Sequence, residues 1–264
     1  MAEARGRRDQ SHGGRRLNPL LNRTNEATVH PDQVAPSVKS EGAEKLERYA
    51  TIVLIVLNIA FFAYELWLKH GSPLRRYQFE QTHALSLHGF RQGAWWQLIT
   101  FQFLHGGWIH LLMNLLLLHS LGPVMETTLG RWRFLVLYLV SGSVGGVLQL
   151  IGAWSSPVYF GASVVGASAG LCGLLASLAA VYSEERLRLL IFFIFPMEVR
   201  AKFVLLFAAL LSAVGAVFAV GTIAHLAHLG GLIGGLWCIN WWKIEPILVS
   251  APASPSPLPS RNLR

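Results

Sequence analysis

The chain has 264 residues, 53% of them hydrophobic and only 14% charged, whereas about a quarter of the residues in soluble domains are charged. Apolar runs of about 20 residues, the length that crosses a hydrocarbon core as a helix, exclude a soluble globular protein and indicate a polytopic membrane protein. The formal net charge of +8 does not indicate nucleic acid binding, because the basic residues flank the apolar runs instead of lining one soluble face.

Residues 1–48 mix basic, acidic and small polar residues without periodicity, and we expect a disordered cytoplasmic tail. A membrane domain over 49–242 and a cytoplasmic tail over 243–264 should follow. The fold class predicted for the membrane domain is all-α, a bundle of six transmembrane helices. The predicted helices, in chain order, cover about 50–68, 104–122, 133–154, 164–182, 202–220 and 222–242.

Two further features lie between the predicted helices. Trp95 and Trp96, in the connection 70–97, are typical of a membrane–water interface. An apolar piece that ends at Pro196 is too short to cross a membrane and is expected to be interfacial or re-entrant. Both cysteines, Cys172 and Cys238, lie inside apolar runs, which favours buried thiols over a disulfide.

The distribution of basic residues predicts the orientation of the bundle. With six helices and a cytoplasmic N-terminus, 18 of the 22 Lys and Arg residues fall on the cytoplasmic side. The four on the outer side are Lys69, Arg75, Arg76 and Arg91. The positive-inside rule therefore predicts that both termini are cytoplasmic.

Four polar residues from three helices then lie at a similar depth, near the outer face. Ser168 lies near the start of the fourth helix, His228 near the start of the sixth, and His110 and Asn114 in the outer half of the second. Polar groups inside a membrane are costly and usually face a bundle interior or a water-filled cavity. We therefore expect these side chains to form one site.

The residue types at this site favour nucleophilic catalysis by serine. A serine needs a base, and His228 can act as one near neutral pH. The only aspartates, Asp9 and Asp32, lie in the N-terminal tail, so the pattern predicts a dyad and not a triad. His110 and Asn114 share one helix face and can donate hydrogen bonds to an oxyanion.

Glycines follow His228 on the face of the sixth helix that carries this histidine. Gly231 and Gly235 repeat every four residues, which gives that face a smooth surface. Such a surface allows another helix to approach closely. The spacing therefore predicts a contact close enough for serine and histidine to meet.

These segments together resemble the rhomboid family of intramembrane serine proteases. The matching pieces are Gly166-Ala167-Ser168, Ala227-His228-Leu229-Gly230-Gly231, His110-Leu111-Leu112-Met113-Asn114, and Glu126 with Gly130-Arg131. The resemblance covers about 95–242. It implies that Ser168 is the nucleophile and His228 the general base, with His110, Asn114 and the Ser168 amide stabilising the oxyanion. It also implies transmembrane protein substrates in a lipid membrane, and neither metal nor cofactor.

The chain departs from the family pattern at three positions. Ala169 stands where many members have glycine, Gln97 where many have arginine after a tryptophan, and Cys172 where many carry an aromatic against which the histidine packs. Cys172 leaves open how the His228 ring is held. His225, one turn before His228, is the alternative base.

Other interpretations of the same residues stay open. Ser168 is alternatively a small packing residue at a helix contact, or part of a nucleophile elbow, which would need a preceding strand. A metal site is the alternative for four histidines, His105, His110, His225 and His228. A catalytically inactive relative that binds transmembrane segments and a small-solute transporter are the competing functions.

Overall fold

The computed structural model describes residues 48–184, 186–191, 195–218 and 223–246. The predicted N-terminal tail, except Arg48, and the C-terminal tail beyond residue 246 lie outside these described residues. The described part is a bundle of α-helices with one two-stranded antiparallel β-hairpin. The predicted all-α membrane bundle is therefore correct apart from this hairpin.

The helices and strands are named here in chain order. They are α1 (Tyr49–Gly71), α2 (Pro73–His83), α3 (Leu87–Arg91), α4 (Gln97–Thr100), α5 (Trp108–Leu129), α6 (Arg131–Ser155), α7 (Pro157–Phe160), α8 (Ser168–Val181), β1 (Arg186–Ile191), β2 (Phe195–Arg200), α9 (Ala201–Phe218) and α10 (His225–Trp241). A 3₁₀ turn, Phe101–Phe103, follows α4.

Among the described residues, four helices are long and apolar enough to cross a membrane: α1, α5, α6 and α9. The chain is thus an integral, multi-pass membrane protein. The helix α8 has 14 residues and α10 has 17. At 1.5 Å per residue, α8 is about 21 Å long, shorter than a hydrocarbon core of about 30 Å. Length alone therefore establishes four of the six predicted spans.

The second predicted span, 104–122, has different bounds in the structure. The helix α5 begins at Trp108, because the Gly106-Gly107 pair precedes it and Gly107 is extended, with φ 166°. It continues through Pro123 and ends before Gly130, whose φ is +76°. His105 consequently lies in the turn before α5 and not within the helix.

The connection between α1 and α5 is itself helical, in short pieces. Ser72 and Ser86 cap α2 and α3 by accepting backbone N–H bonds from Arg75 and Gly89. The Gln97 amide is fully buried: its Nε2 donates to the Gln81 carbonyl at 2.9 Å, and its Oε1 accepts from the Ser86 N–H at 3.1 Å. This side chain fixes the connection against α4, which leads towards the site.

The short apolar piece that ends at Pro196 forms the hairpin. Its two strands pair antiparallel, with Arg186 opposite Arg200 and Ile191 opposite Phe195. The segment is too short to span the membrane as a helix, and here its backbone groups are satisfied by strand pairing. At the base of the hairpin, Glu184 forms ion pairs with Lys202 and Arg200.

The helix α8 lies at the centre of the bundle, packed by α5, α6, α9 and α10. Most of its residues are buried, including Leu171 and Leu174, which are fully inaccessible. They pack in one core with Phe134 and Tyr138 of α6 and with side chains from α5 and α10. Because neighbouring helices surround α8, it holds its first residue, Ser168, at a fixed place inside the protein.

Candidate active site

Ser168 is the first residue of α8, where the backbone leaves an irregular segment and becomes helical. The side chain is half-buried. The first amides of a helix have no acceptor within the helix, and the positive end of the helix dipole lies at the same place. The Ser168 N–H therefore belongs to a set of backbone donors suited to a negatively charged oxygen.

The segment before Ser168 is held by backbone hydrogen bonds to the connection between α1 and α5. Val164 pairs with Leu85 as an isolated antiparallel bridge, with N···O distances of 3.1 and 2.9 Å. The Gly166 N–H then donates to the Phe101 carbonyl at 2.9 Å. Gly166 has φ +128°, a conformation that side chains rarely allow, so glycine is required there.

His228 lies in the first turns of α10, and its ring reaches Ser168. The His228 Nε2 and the Ser168 Oγ are 2.7 Å apart, which is hydrogen-bond distance. The backbone N–H of His228 donates to the Ala224 carbonyl at 3.1 Å, so the residue belongs to a regular helical turn. A hydroxyl and an imidazole nitrogen in direct contact form a pair in which the ring can accept the hydroxyl proton.

This contact depends on a very close approach of α8 and α10. A Cβ on Gly231 would overlap the Ala169 carbonyl oxygen, and a Cβ on Gly235 would overlap Gly173, with 2.7 Å to its Cα. The glycine face predicted from the sequence therefore does bring the two helices together. Gly142 and Gly146 of α6 also lie four residues apart but do not contact another long helix: Gly142 faces Gln102 of the 3₁₀ turn, and Gly146 faces Leu85, Leu98 and Phe101.

The His110 ring contacts the segment that precedes Ser168 at Gly166. A Cβ on Gly166 would lie 2.6 Å from the His110 Cε1 and 2.7 Å from its Nε2, so the ring packs directly against this glycine. The His110 Nδ1 accepts a long hydrogen bond, 3.4 Å, from the Gly106 N–H. Behind it lies the ring of His105, edge to face at 5.2 Å between centroids.

Asn114 is buried one turn after His110 on α5. Its Nδ2 donates to the backbone carbonyl of His110 at 2.9 Å, so one of its two amide protons is used within its own helix. The structure thus brings Ser168 and His228 into direct contact and His110 against the same segment. Asn114 supports the backbone at His110.

His225 and Cys172 lie close to the pair in sequence but are arranged differently. His225 is buried, its ring packs against Gly215 of α9, and its centroid is 6.4 Å from that of His228. Cys172, one turn after Ser168, is half-buried. Within the described residues, no three His, Cys, Asp or Glu side chains form a group suited to a metal ion.

Sequence reasoning missed one residue near the site, Glu65. This carboxylate is 4% exposed on α1, and its Oε2 accepts from the His105 backbone N–H at 3.1 Å. A single acidic residue inside an apolar run is by itself a signal of function or pairing in a membrane protein. The partner, however, is a backbone amide, which no sequence pattern marks.

Comparison with known proteins agrees with the geometry. A Rhomboid domain model matches residues 92–242. The putative rhomboid protease YdcA of Bacillus subtilis is 30% identical over 52% of this chain and 67% of its own length. The rhomboid protease GluP of the same organism is 34% identical, over 54% of this chain. The rhomboid protease AarA of Providencia stuartii is 28% identical, over 53% of this chain.

The match to the other two relatives covers a smaller part of their length, 25% of GluP and 54% of AarA. The part of this chain that the domain model matches holds α4 to α10 and includes both Ser168 and His228. The domain model covers more than half of the chain. The chain therefore belongs to the rhomboid family.

Proposed function

We propose that this protein is an intramembrane serine endopeptidase that cleaves transmembrane segments of other membrane proteins. The observation that carries the proposal is the 2.7 Å contact between the Ser168 Oγ and the His228 Nε2 at the start of α8. Relatives named as rhomboid proteases support the same reaction class. Ser168 acts as nucleophile and His228 as general base.

In the first half of the reaction, the Ser168 Oγ attacks the scissile carbonyl while its proton passes to the His228 Nε2. The carbonyl oxygen becomes an oxyanion. The Ser168 N–H, at the N-terminus of α8, and the side chains of His110 and Asn114 donate hydrogen bonds to it. Collapse of this intermediate breaks the peptide bond. His228 gives the proton to the leaving amine, and an ester on Ser168 remains.

In the second half, water attacks this ester and His228 accepts its proton. The same donors stabilise the second oxyanion. Its collapse releases the new carboxyl end, and His228 returns the proton to the Ser168 Oγ. No carboxylate is assigned to His228 in this scheme, because both aspartates of the chain lie in residues 1–48 and the buried carboxylates of Glu65 and Glu126 accept from backbone amides elsewhere. The catalytic unit is thus a dyad.

The proposal includes the arrangement in the membrane. The shorter helices α8 and α10 cross together with the four long ones, shielded by them, and give six spans with both termini in the cytoplasm. Ser168 and His228 then lie near the outer face, where water reaches them. A substrate helix enters the bundle after its outer end unwinds.

Substitution of Ser168 tests the function in purified protein with a single-span substrate in liposomes. Ser168→Ala should abolish cleavage and labelling by a fluorophosphonate, and His228→Ala should lower both by about 10³-fold or more, because the serine loses its base. The matched control is Ser177→Ala on the same helix, nine residues after Ser168: it removes one hydrogen bond to the Gly235 carbonyl, 3.2 Å long, and adds no atom to the close contact of α8 with α10. It should keep both activities.

Two results would contradict the proposal. Cleavage that persists in Ser168→Ala but is lost in Cys172→Ala would assign the reaction to the thiol. A wild-type protein that binds the substrate helix but neither cleaves it nor reacts with the fluorophosphonate would be the inactive binder of transmembrane segments.

A further inference from the structure

The turn before α5 is attached to α1 at defined points. The Glu65 carboxylate accepts from the His105 N–H at 3.1 Å. Three residues earlier on the same helix, the Phe62 ring meets the Trp108 ring edge to face, with 4.9 Å between centroids. These contacts hold both ends of residues 105–108 against one face of α1. The position of the turn is therefore set by α1.

Burial of the Glu65 carboxylate costs free energy because the group loses its hydration. The side chain is 4% exposed within an apolar helix, and a buried carboxylate costs several kcal/mol unless hydrogen bonds compensate it. The hydrogen bond from the His105 N–H compensates part of this cost, and it therefore favours the observed position of the turn. The next residue after His105 is Gly106, the donor to His110.

The Gly106 hydrogen bond decides which nitrogen of His110 carries the proton. A ring nitrogen that accepts an N–H bond has no proton, so in the neutral ring the proton is on the other nitrogen. The Nδ1 of His110 is the acceptor. Its Nε2 therefore carries the proton, and this nitrogen lies against Gly166, two residues before Ser168.

We propose that Glu65 is a positioning residue for His110. Its carboxylate holds the turn at His105, the turn presents the Gly106 N–H to the His110 Nδ1, and His110 consequently directs an Nε2–H donor towards the Ser168 side. The inference rests on the proposed function, in which His110 stabilises the oxyanion. It adds a residue on α1, outside the matched domain, to the machinery of the site.

Glu65 variants test this in the full-length protein in liposomes, with the single-span substrate. Glu65→Leu should lower kcat by about 10- to 100-fold, because a small displacement of a catalytic donor has effects of this size. Its KM should stay close to that of the wild type, since Glu65 touches no substrate. Glu65→Gln keeps an acceptor oxygen for the His105 N–H and should retain a kcat close to the wild-type value.

Glu126→Leu is the matched control, because it removes a second buried carboxylate that also binds backbone amides between α1 and α5. Glu126 accepts from the Ala50 N–H at 2.7 Å and the Thr51 N–H at 2.8 Å, at the far end of α1 from the site. It should lower the thermal stability and leave kcat per folded enzyme unchanged. Equal losses of kcat in Glu65→Leu and Glu126→Leu would overturn the proposal and indicate a structural role alone.

A measurement without substrate separates this inference from the proposed function. In wild-type protein with ¹⁵N-labelled histidine, the resonances assigned to His110 by their loss in His110→Ala should show a bare Nδ1 and a protonated Nε2. This pattern should persist in Glu65→Gln and be lost or mixed in Glu65→Leu. A wild-type ring protonated at Nδ1 would overturn the inference even if cleavage by Ser168 is established. Absence of cleavage would contradict the proposed function and leave the tautomer measurable.

Discussion

At the scale of single residues, the two side chains proposed as oxyanion donors differ in whether their N–H groups are already used within the protein. The His110 Nε2 side faces Gly166, close to Ser168. Asn114 already donates one amide proton to the His110 carbonyl at 2.9 Å. The two side chains are thus linked: one faces the site and the other fixes the backbone of its neighbour. We expect unequal and coupled contributions to catalysis.

We therefore predict that His110→Ala lowers kcat more than Asn114→Ala does. Loss of one oxyanion donor costs about 10²- to 10³-fold in kcat, and we expect this range for His110→Ala. The double variant should be close to His110→Ala, because residues in contact are not additive. Steady-state kinetics of the wild type, the two single variants and the double variant provides the kcat values of the double-mutant cycle. Independent, multiplying effects would show that the two side chains act on the oxyanion separately, and would contradict the coupling through the His110 carbonyl.

Sequence patterns identify some of these residues and not others, for physical reasons. Ser168 and His228 stand out because hydroxyl and imidazole groups are rare at matching depths of separate apolar runs. Glu65 does not, because its partner is the backbone N–H of His105, 40 positions away, and every residue type except proline offers such a donor. Gly106 is equally hidden, since its hydrogen bond to His110 requires the turn to exist first.

At the scale of elements, the contact between α8 and α10 is the one on which the paired serine and histidine depend. Gly235 lies on α10 against Gly173 of α8, and any side chain there would push the helices apart. The four-residue glycine spacing predicted this contact, because small residues are the means by which membrane helices approach closely.

Gly235→Ala should accordingly destabilise the bundle and lower activity together. Overpacking of a tight contact costs about 1 to 3 kcal/mol, and the displaced α10 would carry His228 away from Ser168. The matched control is Gly71→Ala at the end of α1, where a Cβ would meet nothing within 4 Å. Thermal unfolding and fluorophosphonate labelling measure both effects. A stable Gly235→Ala protein with normal labelling would mean that the helices have room to separate without loss.

Other elements were less predictable. The predicted second span, 104–122, begins and ends earlier than the helix α5. The apolar pattern continues through the Gly106-Gly107 pair, although the backbone there is not helical. The sequence does not predict the hairpin of β1 and β2, because a short apolar run such as 189–196 can be a strand or part of a helix and only pairing decides. Two adjacent glycines determined the local structure in the first case, and the pairing of two neighbouring strands determined it in the second.

At the scale of the whole molecule, the proposed arrangement in the membrane is supported by how burial differs among the helices. The helices α1 and α9 expose large apolar side chains on most of their surface, as lipid-facing helices do. By contrast, α8 is almost completely buried. A short helix surrounded by longer ones does not need to match the hydrocarbon thickness, because its ends contact protein. The burial of α8 thus supports six spans, although only four helices of the described part of the chain are long enough alone.

The orientation of these spans determines which residues can be labelled from outside the cell. Six spans place α2, which follows α1, on the outer side and the residues after α10 in the cytoplasm, in agreement with the excess of Lys and Arg on the cytoplasmic side. Gln78 on α2 and Glu245 after α10 are both exposed. In intact cells, Gln78→Cys should react with a membrane-impermeant maleimide, whereas Glu245→Cys should react only after lysis. The unsubstituted protein is the background control, because Cys238 is buried and Cys172 half-buried. Reaction of both variants in intact cells would require an even number of spans between them and would contradict the arrangement, which has five.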